Sequence, residues 1–223
     1  LVFLVGAIVG IWFVSLHNFL PWNVDWLMHG GDSSSFQISW EFFRKAPMLQ
    51  WPITATPTYV EGTQSILASA NGIVGIPAKL VGLVFRGQFQ FYGLWVAATF
   101  GLQALLSFRL LGLFIDKIST KLAACTLFVL APTFVFRIGE MSHFEVASHW
   151  LILGALYLYF SNTKFVRNWS LLLLLSILIS VYITAMLVLI FFAALAKERF
   201  VNKALPTLRR LSVSSVVPML WLF

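Results

Sequence analysis

Apolar runs divided by short polar punctuation recur from one end of the chain to the other. Leu1–Phe19, Phe89–Phe114, Leu122–Phe136 and Val146–Phe160 approach or reach the ~17–25 residues that carry a helix across a bilayer. Ser170–Ala196 is longer, and it suits either one tilted helix or two short ones meeting near Tyr182–Thr184. A further apolar run begins near Leu211. Between the first and second runs, Pro21–Gln88 reads as a long loop holding Pro21, Pro47, Pro52 and Pro57. The same loop carries Trp22, Trp26, Trp40 and Trp51, the residue type that favours the headgroup boundary, so it is expected to lie on the membrane surface.

Inside that loop the pattern turns helical. In "HGGDSSSFQISWEFFR", Phe36, Trp40 and Phe43 recur at spacings of four and three, and Gln37, Glu41 and Arg44 recur at the same spacings on the other face. This predicts an amphipathic helix over Ser33–Ala46, capped by Asp32 or Ser33, stopped by Pro47 and lying in the interface plane. Gln64–Phe85 is moderately apolar but interrupted by Asn71, Pro77, Lys79 and glycines. It reads as a second interfacial helix, a re-entrant helix or a span.

Composition places these elements in a membrane. The chain is 60% apolar and 10% charged with mean hydropathy +0.89, against roughly 45–50% and 25% for average soluble domains. The expectation is an all-α polytopic helical bundle forming one transmembrane domain over residues 1–223: a first span at 1–19, an extracytoplasmic loop at 21–88, and the remaining spans from 89 to 223. Leu1 is not an initiator Met and Phe223 falls inside "SVVPMLWLF", so the piece reads as the N-terminal part of a longer chain. The first run lacks a basic n-region and a small-residue cleavage site, which favours a retained helix over a removed signal peptide. Cys125 is the only cysteine, so no internal disulfide framework exists.

The net charge of +7 does not point to nucleic acid, because the basic residues stand singly between apolar runs. They read as topology signals. If Gln64–Phe85 stays outside and Ser170–Ala196 is a hairpin, then Arg109, Lys117, Lys121, Lys164, Arg167, Lys197, Arg199, Lys203, Arg209 and Arg210 are cytoplasmic. Only Arg44, Lys45, Lys79, Arg86 and Arg137 are then outside. The positive-inside bias prefers this arrangement to single crossings of both segments. It puts Asp32 and Glu145 on the same, extracytoplasmic side, and it leaves the sequon Asn168–Ser170 in the cytoplasm.

Two stretches carry candidate chemistry. Asp32 follows Gly30 and Gly31 and opens a helix, whose N-terminal end favours a carboxylate. That suits a general base or a metal ligand, and it equally suits a plain helix cap. In "RIGEMSHFEVASHW", Arg137, Glu140, His143, Glu145 and His149 crowd one short loop of a charge-poor chain. If a helix starts near Phe144, then Glu145 and His149 share a face. A metal site is conceivable there although no established ligand spacing is present, and an interfacial loop of caps and snorkelling side chains is the alternative. Arg44, Lys45, Lys79 and Arg86 are candidates for a lipid phosphate or for headgroup anchors. Phe89, Phe91, Tyr92 and Trp95 read as core or lipid-facing packing.

These residues resemble a known architecture. An acid in a long first extracytoplasmic loop, surface helices after it, and a span ending "APTFVFRIG" before an acidic loop are similar to the C-type (GT-C) glycosyltransferase fold. Oligosaccharyltransferase catalytic subunits, protein O-mannosyltransferases and aminoarabinose transferases share that fold. The blocks "GGDSSSFQISWEFFRKAPMLQWP", "FQFYGLWVAATFGLQALLSFRLL" and "HFEVASHWLILGALYLYF" further resemble a family of uncharacterised bacterial membrane proteins assigned to it. The resemblance implies transfer of a sugar from a polyprenyl-phosphate donor at the outer face of the bacterial inner membrane. Asp32 then matches the first-loop acid that deprotonates or orients the acceptor. Glu145, with His143, takes the place of the second-loop acidic motif, and Arg137 neutralises the departing phosphate. The resemblance also raises a divalent metal, with Asp32, Glu145 and His143 as its ligand set, although the second loop lacks a D-x-D or D-N-E element. His149, Arg44 and Lys45 complete the expected substrate-binding set. The alternatives are a transporter or lipid flippase, with Arg137, Glu145 and His149 lining a pathway, and a non-catalytic membrane partner in surface-polysaccharide assembly.

Overall fold

Two helices approach each other closely enough that only glycine fits between them. The computed structural model describes residues 1–29, 31–47, 55–58, 62–65, 72–85, 87–140, 142–161 and 165–201. Its first helix, α1 (Val2–Val14), packs along α5 (Tyr92–Leu111). A Cβ on Gly6 would stand 2.7 Å from the carbonyl oxygen of Phe100, and one on Gly10 would stand 2.9 Å from the Cα of Ala97. Across the seam, a Cβ on Gly101 would meet the Phe3 ring at 2.7 Å. Backbones this close gain dispersion contacts along their length, which is how apolar helices associate when no hydrophobic force separates them from lipid.

The first apolar run is not one helix over Leu1–Phe19. Ser15 takes φ 71°, which ends α1, and a single turn, α2 (Leu16–Phe19), follows with the Ser15 Oγ accepting from the Asn18 amide at 3.3 Å. After a 3-10 turn at Asp25–Leu27, α3 spans Gly31–Lys45, starting two residues before the expected Ser33. Asp32 is therefore in the first turn and not at the cap. The expected apolar face does form, but it meets protein instead of lipid. Trp40 and Phe43 are fully buried, and Trp40 sits edge-on to Phe89 and Phe91 while its Nε1 donates to the Phe89 carbonyl at 2.9 Å. Gln37 and the Arg44 side chain are buried as well, and the exposed residues of the helix include Ile38, Phe42 and Lys45.

Among the described residues the fold is helical apart from one short antiparallel hairpin, β1 (Ala55–Thr58) with β2 (Gly62–Ser65), which the hydrophobic pattern does not predict. Gln64 and Ser65 thus belong to a strand, and the helix expected from Gln64 starts at Gly72 as α4 (Gly72–Val84). Further on are α6 (Ile118–Val129), α7 (Pro132–Gly139), α8 (Trp150–Phe160), α9 (Phe165–Ile179) and α10 (Val181–Phe200). The run Leu122–Phe136 is bent by 42° between α6 and α7, because Pro132 lacks the amide that would continue the ladder and starts a new helix instead. The run Val146–Phe160 is helical only from Trp150, and an 11-residue helix is about 16 Å long against a ~30 Å hydrocarbon core. Among the described residues two helices, α5 and α10, are long and apolar enough to cross a bilayer, and the α6–α7 pair makes a third if counted as one broken span.

The long run Ser170–Ala196 is a helical hairpin. Ser180 is extended at φ −159°, and beyond it the chain doubles back so that Phe191 of α10 packs on both Trp169 (5.3 Å) and Phe165 (6.0 Å) of α9. Thr184 Oγ1 donates to the Ser180 carbonyl at 2.8 Å and lies 3.0 Å from Ser176 Oγ, tying the apex. At the other end, Lys197 Nζ donates to the Tyr159 carbonyl at 2.7 Å, and Phe114 packs on Phe160 at 5.2 Å. The ends of α5, α8 and α10 therefore meet at one pole. The segments carrying Asp32 and His143 meet at the opposite one. The run beginning near Leu211 and residues Trp51, Pro52, Asn71, Arg86, Lys164, Lys203, Arg209 and Arg210 lie outside the described residues.

Candidate functional site

Phe144 is the hub of this second pole. It is buried, and its ring lies 5.3 Å from Tyr92, 5.8 Å from Trp26 and 6.3 Å from Phe36, while its carbonyl accepts from Trp95 Nε1 at 3.1 Å. Aromatic side chains from the first loop, α3 and α5 thereby hold one residue of the second loop. Its neighbours follow: His143 is brought to the first turn of α3, and Glu145 is buried. The turn before them is tight. Ser142 has φ 53°, and the His143 amide donates to the Arg137 carbonyl at 2.8 Å, so the end of α7 folds directly back over itself.

The consequence is a contact between the two loops. His143 Nε2 lies 2.5 Å from Asp32 Oδ2, with the Asp32 side chain 53% exposed and His143 26% exposed. Glu145 is only 8% exposed, and its Oε1 has no hydrogen-bond partner among the described residues. Burial pushes its carboxyl up to about 8, the nearby Asp32 charge pushes the same way, and a backbone hydrogen bond opposes them. At neutral pH Glu145 thus carries its proton, and the site offers a carboxylate held by an imidazole beside a neutral, buried carboxylic acid. Tyr92 is fully buried within electrostatic reach of Glu145, and its hydroxyl has no partner among the described residues.

Arg137 and His149 are at the same pole. Burial lowers the His149 imidazole, and the Arg137 charge lowers it further; its ring packs on Phe134 at 5.9 Å. Glu145 and His149 do not share a helical face, because residues 144–149 form turns and α8 starts at Trp150. Arg44 and Lys45 are apart from the Asp32 cluster. Arg44 is twelve residues beyond Asp32 on α3, about 18 Å along the axis. Its guanidinium donates to the carbonyls of Gly87 (2.7 Å) and Phe85 (3.3 Å), pairs with Glu41 (2.7 Å) and stacks over Phe89, so it clasps the loop before α5. Lys79 is likewise spent, donating to the Pro47 carbonyl at 3.0 Å. Phe89, Phe91, Tyr92 and Trp95 are core, as the packing reading has it.

Of the three candidate metal ligands, Asp32 and His143 turn Oδ2 and Nε2 toward each other, and Glu145 is buried. No group of three His, Cys, Asp or Glu side chains able to hold a metal occurs among the described residues.

Residues 3–223 match the family described as a domain of unknown function, DUF6311. The chain belongs to that family. The match takes in both loops of the site, so the Asp32–His143 contact and buried Glu145 fall inside the DUF6311 domain. No curated protein and no solved structure matches the chain.

Proposed function

We propose that this DUF6311 chain is a membrane glycosyltransferase that moves a sugar from a polyprenyl-phosphate donor to an acceptor hydroxyl on the extracytoplasmic side of the bacterial inner membrane. The observation that carries the reading is the union of the two loops: Asp32 from the first and His143 and Glu145 from the second form one cluster at one pole of a helical bundle. His143 donates its Nε2 hydrogen to Asp32 Oδ2 and orients the carboxylate, whose Oδ1 accepts the proton of the acceptor hydroxyl. The acceptor oxygen bonds to the anomeric carbon as the bond from that carbon to the phosphate oxygen breaks, and the electron pair leaves with the lipid phosphate. Arg137 supplies a fixed cation for the charge that develops there. Protonated Glu145 supplies an O–H donor without adding a second negative charge beside Asp32.

The reading is tested on membranes containing the protein, with labelled polyprenyl-phosphate sugars. Wild type is expected to transfer label and Asp32→Asn is expected to lose transfer by ~100-fold or more, the ordinary contribution of a positioned general base. Undiminished transfer by the variant removes Asp32 from the mechanism.

A further inference from the structure

The outward side of α3 carries a second apolar face. Ile38, Phe42 and Lys45 recur at spacings of four and three, the rhythm of Phe36, Trp40 and Phe43 repeated on the opposite side of the helix. Trp40 and Phe43 are buried in the core, whereas Ile38 is 46% and Phe42 39% exposed. Met28, just after the 3-10 turn at Asp25–Leu27, is 51% exposed and lines the same cavity as Ile38 and Phe42. Asp25, Glu41, Lys45 and Gln88 border these apolar side chains.

The height of the face follows from the span beside it. α5 has 20 residues, ~30 Å of helix, which matches the hydrocarbon thickness of a bilayer, so a crossing α5 has Tyr92 at the hydrocarbon edge. α3 is held at that edge at three points. Its start meets His143 through Asp32, its middle gives the Trp40 Nε1 hydrogen to the carbonyl of Phe89, and its end clasps Gly87 through Arg44. The His143 loop is itself tied to the first turn of α5, where Trp95 Nε1 donates to the Phe144 carbonyl. A helix fixed at start, middle and end to the mouth of one span lies across that mouth. Its outward face is then level with lipid headgroups, where the alternatives are water and lipid. The side chains decide between them. α4, with Gly82 packed against the Arg44 stem, also exposes Leu80, Val81 and Val84, and apolar surface spread over two neighbouring helices is more than an aqueous face ordinarily carries.

We propose that the Met28–Ile38–Phe42 face of α3 docks into the headgroup–acyl boundary of the bilayer, with the 72% exposed Lys45 side chain reaching headgroup phosphates from its rim. The acids Asp25 and Glu41 share that rim, so the contact selects no headgroup charge. Docking holds Asp32, six residues before Ile38 and ~9 Å from it along the axis, at headgroup height. The contact stands whether or not Asp32 takes part in sugar transfer.

The experiment uses the full chain with Cys125→Ala in phosphatidylcholine nanodiscs, carrying Ile38→Cys or Phe42→Cys labelled with bimane. Both labels are expected to lose emission to lipids brominated near the headgroup end of the acyl chain and to be spared by iodide in the water. A label on exposed Glu140→Cys, at the end of α7, is expected to show the reverse. Two exposed label sites keep the test decisive if one variant does not elute as wild type. The proposal is overturned if iodide quenches the Ile38 and Phe42 labels as it does the Glu140 label. It is equally overturned if neither quencher reaches them, because protein or a second copy covers the face, or if lipids brominated near the chain end quench them more than the shallow ones do.

Discussion

Asp32 Oδ2 and His143 Nε2 are 2.5 Å apart, although one belongs to the first turn of α3 and the other to the loop that joins α7 to α8. The pair is partly exposed, so it adds only ~0–1 kcal/mol to stability. His143→Ala is expected to leave the unfolding midpoint within a degree or two of wild type and to reduce sugar transfer ~10–100-fold. In combination with Asp32→Asn the two losses should not add, because both variants disable the same carboxylate. Additive losses in a double-mutant cycle contradict this coupling.

Glu145 makes stability depend on pH in a defined direction. Its ordinary value is 4.5 and burial raises it to about 8 in the folded chain. Below about pH 4.5 the carboxyl is protonated whether the chain is folded or not. Between there and about pH 8 the unfolded chain ionises while the folded one must keep its proton, so stability falls as pH rises. Thermal unfolding in detergent should show a lower midpoint at pH 8.5 than at pH 5, by the equivalent of a few kcal/mol. Glu145→Gln should flatten the slope over that window. An unchanged slope in the variant assigns the effect to other groups.

The glycine seam makes α1 intolerant of side chains. At Gly10, Val must displace the backbone of α5, an overpacking cost of ~1–3 kcal/mol or more. Gly10→Val is expected to shift the protein toward aggregates in fluorescence-detected size exclusion. Gly154→Ala is the control. Its Cβ would meet only leucine methyl groups at 3.3 Å and beyond, and it should elute as wild type.

Arg44 is a clasp. Arg44→Ala strands the carbonyls of Phe85 and Gly87 and one carboxylate, and is expected to cost ~1–3 kcal/mol in thermal stability. Binding of lipid phosphate by the folded fraction should be unchanged in a vesicle flotation assay. Arg44→Lys should not rescue stability, since an ammonium cannot span the same three acceptors in a plane.

Sidedness is open to a direct chemical test. Cys125 is buried, 2.9 Å from Ser107 Oγ, and Cys125→Ala provides a cysteine-free background. Glu140→Cys is expected to react with an impermeant thiol reagent added outside intact cells. Lys117→Cys, between α5 and α6, is expected to react only after permeabilisation.

The pattern of apolar residues was enough to mark the chain as helical and membrane-suited and to place an amphipathic helix at α3, while the sum over basic residues chose two helices over one for Ser170–Ala196 and put Asp32 and Glu145 on one side, as the structure has the hairpin and the loop contact. Each of these follows from local periodicity or from a sum over basic residues, which do not depend on partners distant in the chain. Glycine spacing at Gly6 and Gly10 also marked the α1 face, a signal that the reading of the loops left unused. Only tertiary structure decided what each residue spends its polar groups on. Arg44 reads as a surface cation until Phe85 and Gly87 are brought under it. The buried state of Glu145 depends on the packing of Phe144 among Trp26, Phe36 and Tyr92, three residues from other parts of the chain. The hairpin at Ala55–Ser65 and the late start of α8 likewise depend on contacts and backbone turns that a period of 3.6 does not encode. Desolvation and charge pairing are properties of an assembled neighbourhood, and these two quantities turn a polar residue into a base, an acid or a clasp.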